Sequence, residues 1–318
     1  MTSVADQQPE LGQPVPLDFG PPPPPPRRPR KRPTAGRVIR YIALIVLAIL
    51  FVAPFFYMVT SSFQPLSRMF RYPPEWIPTK PTLENYTSFF TSDRPIGRWI
   101  TNSLFVSISV TSLQLFFNSL VAYTFAKRVF PGRDFLFFMG LATMMIPNEV
   151  TLIPTYLILK SMPLFGGNDI MGVGGHGWLD SYWGLIAPNI SSAFGIFLLR
   201  QYMRSIPDTL IDAARIDGAG HFKIYWKIIL PLSRPALAAL AIFTFQGVWE
   251  DLYGPLIFIS SPELYTLPLG LALFVIQNRT VWNLVMAGSV IATIPMIVIF
   301  AIFQKQFVRG ISLSGIKD

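Results

Sequence analysis

Three acidic residues lie in otherwise apolar stretches of the sequence, and they are the leading candidates for chemistry. Glu250 and Asp251 are adjacent within one hydrophobic run, and Glu149 follows Pro147 in another. A carboxylate inside a membrane costs free energy unless it faces water, a partner or a cavity. The Glu250–Asp251 pair therefore indicates a passage for polar cargo, a contact between subunits, or a position near the outer end of the span. For Glu149 the alternatives are helix packing at a break and contact with cargo.

Other kinds of reactive site are excluded or disfavoured by residue content. The chain has no cysteine and only two histidines, so disulfides, thiolate metal sites and histidine clusters are not expected. No G-x-x-x-x-G-K-[ST] sequence occurs, so ATP hydrolysis is not expected in this chain. The run 172–177 matches G-x-G-x-x-G, but no predicted strand precedes it, which disfavours a dinucleotide site. We therefore predict no catalytic residues, no metal site and no cofactor in this chain.

The elements that must position the acidic residues are membrane helices. Hydrophobic residues make up 51% of the 318-residue chain and charged residues 14%, whereas soluble domains carry about 25% charged residues. The sequence thus predicts an all-α membrane protein with six spans. Prolines at 54, 147, 154 and 295 are expected to bend or break three of these spans. The predicted spans cover residues 38–62, 99–126, 135–159, 181–199, 235–259 and 281–304.

Polar side chains within the second span predict that one of its faces packs against protein. Asn102, Gln114 and Asn118 have no charged neighbour in that span, and amide side chains in membrane helices commonly hydrogen-bond across to other helices. The apolar run 264–278 is short for a span. It is predicted to be a re-entrant or outer-surface helix.

Charge distribution predicts the orientation. Residues 1–36 form a proline- and arginine-rich tail, expected to be disordered, cytoplasmic and in contact with anionic lipid headgroups. Most of the 26 lysines and arginines fall on one side of the predicted spans, and that side is cytoplasmic by the positive-inside rule. Both termini and the segment 205–235 are therefore predicted to be cytoplasmic, and the net charge of +9 is not taken to indicate nucleic-acid binding.

The 205–235 segment is the longest polar interruption in the apolar C-terminal half. Ser205 with Asp208 predicts a helix N-cap, and Gly218 and Gly220 predict the end of that helix. A second helix is predicted to follow and to end at Pro231, with aromatic and apolar residues on one side: Phe222, Tyr225, Trp226 and Ile229.

This segment resembles the EAA loop of ABC importer permeases. Asp212-Ala213-Ala214, Gly218 and the ending Ile228-Ile229-Leu230-Pro231 fall in register with that pattern, with Asp212 where the family usually has glutamate. The resemblance implies a cytoplasmic coupling helix that contacts an ATPase, and small side chains would let the partner approach closely. The residues implied in this contact are Asp212, Ala213, Ala214, Asp217, Gly218, Ala219 and Pro231.

A second stretch, Trp249-Glu250-Asp251-Leu252-Tyr253, is similar to one in the carbohydrate-importer permeases, and Ile146-Pro147-Asn148-Glu149-Val150 is similar to another. The resemblance implies sugar or polyol cargo, with carboxylates accepting hydrogen bonds from hydroxyls and an aromatic ring stacking on the sugar. The residues assigned to the cargo pathway are Asn118, Glu149, Trp249, Glu250, Asp251 and Tyr253.

Taken together, the resemblance covers residues 37–318 and implies the type I ABC importer permease fold in a bacterial inner membrane. It further implies a second permease subunit, two ATPase subunits that bind ATP and Mg, and an extracytoplasmic binding protein or lipoprotein. Two alternatives remain. One is an ion-coupled secondary transporter with Glu149, Glu250 and Asp251 as its relay, although no internal repeat is evident. The other is a membrane-embedded enzyme, for which the chain lacks a nucleophile–base pair.

Overall fold

The structure is a computed structural model that describes residues 35–277 and 281–314. Within these ranges every regular element is helical. The predicted tail lies outside the described residues up to position 34, and residues 315–318 also lie outside them. The chain divides into two compact units, residues 1–52 and 53–318, and all of the sites discussed below belong to the second.

The helices of the N-terminal half are one long first helix, two short ones, a second long helix and a broken pair. They are α1 (Ala35–Ser62), α2 (Leu66–Met69), α3 (Glu84–Thr91), α4 (Ile96–Lys127), α5 (Arg133–Ala142), a 3₁₀ turn (Thr143–Met145) and α6 (Asn148–Lys160).

The C-terminal half contains shorter helices before its last long one. They are α7 (Tyr182–Ile186) with a 3₁₀ turn (Ala187–Asn189), α8 (Ala193–Arg204), α9 (Thr209–Ile216), α10 (His221–Ile224), a π-helical turn (Tyr225–Ile229), α11 (Leu230–Leu232), α12 (Arg234–Trp249), α13 (Tyr253–Phe258), a 3₁₀ turn (Pro262–Leu264), α14 (Leu267–Gln277) and α15 (Trp282–Ser314).

Three described helices are long and apolar enough to cross a membrane: Ile39–Ser62, Ile96–Lys127 and Trp282–Gln304. Three further candidates are helix pairs bent at a short break, and counting each pair as one span gives six, the predicted number. The third pair runs from His221 to Trp249, so it includes part of the 205–235 segment and ends before the predicted boundary at residue 259. The bends are 102° after Met145, 40° after Asn189 and 76° after Leu232. At 11 residues α14 is too short to span, which agrees with the sequence prediction.

Proline explains the sharpest of these bends. Ile146, which precedes Pro147, is extended (φ −89°, ψ 118°), since a residue before proline is disfavoured in the helical region. The predicted break at Pro154 is wrong, because Pro154 lies inside α6. Pro54 and Pro295 likewise lie inside the continuous helices α1 and α15.

The helix α4 is the packing centre of the second unit and lies against α8 and α12. Its polar residues are buried, as predicted: Asn102 is 2%, Gln114 7% and Asn118 0% exposed. The Asn102 amide donates to the Glu263 carbonyl at 2.8 Å and the Tyr265 carbonyl at 2.9 Å, and thereby fixes the segment before α14. These polar groups are tolerated because each has a hydrogen-bond partner.

The predicted start of the 205–235 segment is wrong. Ser205 is the C-cap of α8, and its hydroxyl donates back to the Tyr202 carbonyl at 2.7 Å. The next helix, α9, begins only at Thr209 and has 8 residues. Asp208 makes no capping bond because its carboxylate is bound by Lys127 instead, with 2.7 Å between Nζ and Oδ1.

The end of α9 follows the prediction at only one of its two glycines. Gly218 has φ +74°, the left-handed conformation that glycine adopts without steric cost. Gly220 has φ −70° and is the N-cap of α10, so it starts the next helix instead of ending the previous one.

The second helix of the segment also differs from the prediction. Pro231 does not end it, because helical geometry continues to Leu232 and the bend follows at Ser233. The π turn directly before Pro231 widens the backbone where a proline would otherwise clash with the preceding turn. The side chains divide between two faces: Tyr225 and Ile229 are buried, while Phe222 and Trp226 are exposed and stack on each other.

The run 172–177 lies in a tight loop between α6 and α7. An added Cβ at Gly175 would clash with backbone atoms of residues 166–168 in the same loop. An added Cβ at Gly177 would clash with backbone atoms of Leu159 and Lys160. The glycines are therefore explained by close backbone packing, and no strand precedes them in the described chain.

Candidate functional site: a polar cavity and the 205–235 segment

A polar cavity with a volume of about 680 Å³ lies where the breaks in three helical segments meet. Ligand pockets commonly have volumes of about 300–1,000 Å³. The cavity is lined by the break before α6, the break between α7 and α8, and the end of α12 with the start of α13. The breaks expose backbone and polar side chains here that continuous helices would have kept apart.

Gln114 of α4 joins three elements at the wall of this cavity. Its Nε2 donates to the Asn189 carbonyl at 2.8 Å, and its Oε1 accepts from Ser192 Oγ at 3.0 Å and Thr244 Oγ1 at 3.1 Å. Asn118, one turn along α4, donates to the same Oε1 at 3.3 Å. Gln114 therefore positions the α7–α8 break and α12 relative to α4.

Asn118 supports the wall but does not line the cavity. Its Oδ1 accepts from Ser191 Oγ at 2.8 Å and from the Ser192 amide at 3.1 Å. Gly195 lies against it so closely that an added Cβ would clash with the Asn118 amide. Asn118 was assigned to the cargo pathway from the sequence, and its position makes it a positioning residue for the serines that line the cavity.

Two of the predicted acidic residues line the cavity together. Glu149 lies in the first turn of α6, is exposed within this chain and lines the cavity, which favours contact with cargo, the second of its two alternatives. Asp251 follows the end of α12, and its Oδ1 accepts from the Gly254 amide at 3.2 Å. Tyr253 also lines the cavity and is 58% exposed.

The other two predicted pathway residues lie elsewhere. Trp249 is only 3% exposed, stacks on Phe245 and donates from Nε1 to the Ala292 carbonyl at 2.9 Å. It is therefore not placed to stack on a sugar. Glu250 is exposed but does not line the cavity, and Gln246 donates to its Oε1 at 3.4 Å. Because α12 ends at Trp249, both acids follow the helix and do not lie within it.

Sequence reasoning did not assign most of the polar cavity lining. Among the described residues the lining includes Asn148, Asn189, Ser191, Ser192, Thr151, Thr155 and Thr244. Small hydroxyl residues are common in membrane helices, so their types alone carry little signal. The useful signal was the spacing of Gln114 and Asn118, which places two amides on one face of a helix.

The 205–235 segment presents a mixed surface. Asp212, Ala213, Asp217 and Gly218 are exposed, and Asp212 accepts from Arg215 at 3.2 Å. Ala214 is 9% exposed and belongs to the core cluster of this chain, so it faces inward and not toward a partner. Ala219 is half-buried and packs against the same cluster. The exposed outer side also includes apolar residues, namely Ile216, Phe222 and Trp226.

Comparison with known proteins decides the family. The chain matches the family described as "Binding-protein-dependent transport system inner membrane component" over residues 114–313, which include both the cavity wall and the 205–235 segment. The chain belongs to this family. Its members are membrane components of transport systems, so the permease assignment from the sequence is confirmed over the ion-coupled alternative.

Individual relatives match nearly the whole permease. The arabinooligosaccharides transport system permease protein AraQ of Bacillus subtilis is 32% identical over 283 residues, which cover 88% of this chain and 96% of the relative. The sn-glycerol-3-phosphate transport system permease protein UgpE of Yersinia pestis is 31% identical, over 85% of this chain and 94% of the relative.

The fold of the permease also matches a solved transporter. A chain from the crystal structure of a bacterial ABC transporter involved in the import of the acidic polysaccharide alginate superposes with a TM-score of 0.71, at 23% identity. The match covers 85% of this permease and 95% of that chain. The predicted type I importer permease fold is therefore confirmed.

Proposed function

We propose that this permease forms half of the passage of an ATP-driven sugar importer, with the cavity of about 680 Å³ as the cargo path. The observation that carries the proposal is the lining: carboxylates at Glu149 and Asp251 and a set of amides and hydroxyls converge on one space. Such groups accept and donate hydrogen bonds to sugar hydroxyls, and Tyr253 offers an aromatic face. The names of the relatives, which include an arabinooligosaccharide system, support this cargo class.

The 205–235 segment is proposed as the contact for an ATPase subunit. Its exposed outer side combines acidic residues with exposed aromatic rings, a mixture suited to a protein partner. Asp212, Ala213, Asp217, Gly218 and the flanks at Ala219 and Pro231 are the proposed contact residues, and Ala214 acts by packing the helix onto the permease. ATP and Mg belong to the partner, and closure of the ATPases shifts the segment and changes the side to which the cavity opens.

The rest of the assembly follows from the same proposal. A second permease subunit closes the open side of the cavity, and an extracytoplasmic binding protein delivers the sugar. A solved alginate transporter was captured with a periplasmic protein holding an alginate pentasaccharide, which supports this arrangement. Both termini and the 205–235 segment are proposed to be cytoplasmic, with the chain in the inner membrane of a bacterium.

Co-purification tests the proposal. The tagged permease, extracted in mild detergent from its native cells, is expected to bring with it a second permease and a subunit with ATPase activity. Asp212→Lys is expected to reduce the recovery of the ATPase but not of the second permease. Recovery of the permease without any nucleotide-hydrolysing partner, under conditions that preserve the second permease, would contradict the proposal.

A further inference from the structure

We propose that α4 transmits movement of the 205–235 segment to the cavity, and that Ser119, Tyr123 and Lys127 are the positioning residues that join the two. The inference depends on the proposed coupling function and extends it to a helix that is not contiguous with the segment. Continuity along the chain links the segment only to α8 and α12. The hydrogen bonds of α4 add a third, lateral connection.

Three contacts make this connection, and they come from positions four residues apart on α4. Ser119 Oγ shares a hydrogen bond with the Tyr225 hydroxyl at 2.7 Å, and Tyr123 OH donates to the His221 carbonyl at 3.4 Å. Residues at this spacing lie on one face of a helix. The first two contacts therefore hold the second helix of the segment along one line of α4.

The third contact holds the entry of the segment. Lys127 Nζ donates to the Ile206 carbonyl at 2.5 Å and to Asp208 Oδ1 at 2.7 Å. The Lys127 side chain is only 3% exposed, so its ammonium group depends on these two acceptors in place of water. The entry of the segment and its second helix are thus bound to the last three turns of α4.

Apolar packing makes this attachment rigid. Ala122 and Tyr123 of α4 belong to one buried cluster with Ile211 and Ala214 of α9 and with Tyr225. The Tyr123 and Tyr225 rings lie 5.5 Å apart between centroids. Sliding the segment along α4 would break these contacts together with the hydrogen bonds, so the two are expected to move as one body.

The other end of the connection is Gln114. It lies thirteen residues before Lys127, about 20 Å along a helix with a 1.5 Å rise per residue. Gln114 is bonded to Asn189, Ser192 and Thr244, all of which line the cavity. A tilt of α4 driven from its Lys127 end therefore displaces the cavity wall directly.

The first test measures labelled sugar taken up per ATP hydrolysed, in vesicles that contain the complete transporter. Lys127→Met, Tyr123→Phe and Ser119→Ala are expected to lower this ratio by about twofold to thirtyfold, the range for residues on a coupling path. Lys127→Arg is expected to restore it, since it keeps a buried cation. The matched control is Thr124→Ala, because Thr124 lies on α4 but bonds only to its own helix, at the Leu120 carbonyl.

The outcomes separate this inference from the proposed function. A wild-type transporter with no ATP-dependent uptake would contradict the proposed function itself. A coupled wild type whose variants keep the same uptake per ATP would overturn the role of α4 alone, as would a parallel fall in uptake and ATPase activity. If Lys127→Met fails to assemble, Tyr123→Phe decides, because it removes one hydroxyl and leaves the packing intact.

A distance measurement checks the rigid attachment directly. The chain has no cysteine, so Thr124→Cys and Ile216→Cys introduce two exposed labelling sites in this subunit. Spin labels at these positions are expected to keep one distance distribution with and without ATP. A distribution that changes with nucleotide would show that the segment slides on α4, and would overturn the inference.

Discussion

The Nζ of Lys127 lies 2.7 Å from Oδ1 of Asp208, which ties the end of α4 to the start of the 205–235 segment. The same ammonium group donates to the Ile206 carbonyl, so two acceptors from one turn converge on a buried cation. This ion pair engages the Asp208 carboxylate, and Asp208, the N-cap residue of α9, makes no side-chain capping bond. It also attaches the proposed ATPase contact to the helix that carries Gln114.

Gly218→Ala is expected to destabilise the turn between α9 and α10. Gly218 has φ +74°, where a residue with a Cβ costs about 1–2 kcal/mol, although an added Cβ would meet no neighbouring atom. Hydrogen exchange of residues 209–220 is expected to rise and uptake per ATP to fall. Gly220→Ala is the control, because Gly220 has φ −70° and equally open surroundings. Equal effects of the two changes would contradict the role of the left-handed turn.

Asp212→Lys is expected to abolish most ATP-driven uptake while the permease still reaches the membrane. The reversed charge faces the proposed partner because Asp212 is exposed. Asp212 also pairs with Arg215 within α9, so Arg215→Ala tests whether that pair matters. An exposed pair of this kind contributes about 0–1 kcal/mol, and Arg215→Ala is expected to leave uptake nearly unchanged. Similar losses in both variants would assign the effect to α9 itself.

Glu149→Gln and Asp251→Asn are expected to alter the concentration dependence of sugar uptake, with little effect on the amount of assembled transporter. Each change removes a charged acceptor from the cavity but keeps the size of the side chain. Losing one charge-assisted hydrogen bond to a hydroxyl costs about 1.5–3 kcal/mol, or roughly tenfold or more in affinity. Glu250→Gln is the matched control, since Glu250 is exposed outside the cavity lining. A change confined to Glu250→Gln would place the cargo elsewhere.

Trp249→Ala is expected to reduce the yield of folded permease. The ring is buried among α12 and α15, and its truncation removes both the Phe245 stacking and the bond to Ala292. Large aromatic truncations in cores cost about 3–5 kcal/mol. Trp249→Phe, which keeps most of the packing, is expected to recover much of the yield. A normal yield of Trp249→Ala with altered sugar affinity would contradict the buried placement.

Asp180 accepts hydrogen bonds from Ser260 and Ser261, and this loop contact is expected to be insensitive to mild acid. Burial pushes the pKa of Asp180 upward, but hydrogen bonds from the Ser261 hydroxyl and amide and the Ser260 amide lower it below its ordinary 3.8. A lowered pKa means that the stabilisation is present at neutral pH and is lost only as the pH falls through that lowered value. Intrinsic-rate-corrected hydrogen exchange at residues 255–262 should be the same at pH 7 and about pH 5. Asp180→Asn should raise it at both, and a rise in the wild type at pH 5 would contradict the lowered pKa.

Residue types and periodicity were sufficient to predict the spans and the buried face of α4, because apolar runs and amide spacing are local properties. They were insufficient for Ser205 and Trp249. Ser205 ends α8 instead of capping the next helix, and its predicted partner Asp208 is bound by Lys127, a residue about eighty positions away in sequence. The burial of Trp249 depends on α15, which supplies the Ala292 carbonyl. Contacts with partners so distant in sequence cannot be predicted from the local sequence around each residue.

The residues that line the cavity were also only partly predictable from the sequence. Glu149, Asp251 and Tyr253 were found as polar or aromatic residues in apolar surroundings, and all three line it. Its hydroxyl and amide lining, however, depends on three helix breaks meeting at one place. The break at Pro147 was predicted from its proline, whereas the break at residues 190–192 follows Pro188, a signal that the sequence reasoning did not use.

Uptake of labelled sugar into vesicles containing the complete transporter tests the central claim most directly. The account predicts uptake that requires ATP on the side of the 205–235 segment, stops in Gly218→Pro, and is unchanged when a protonophore removes the proton gradient. Uptake that continues without nucleotide and collapses with the proton gradient would contradict the account.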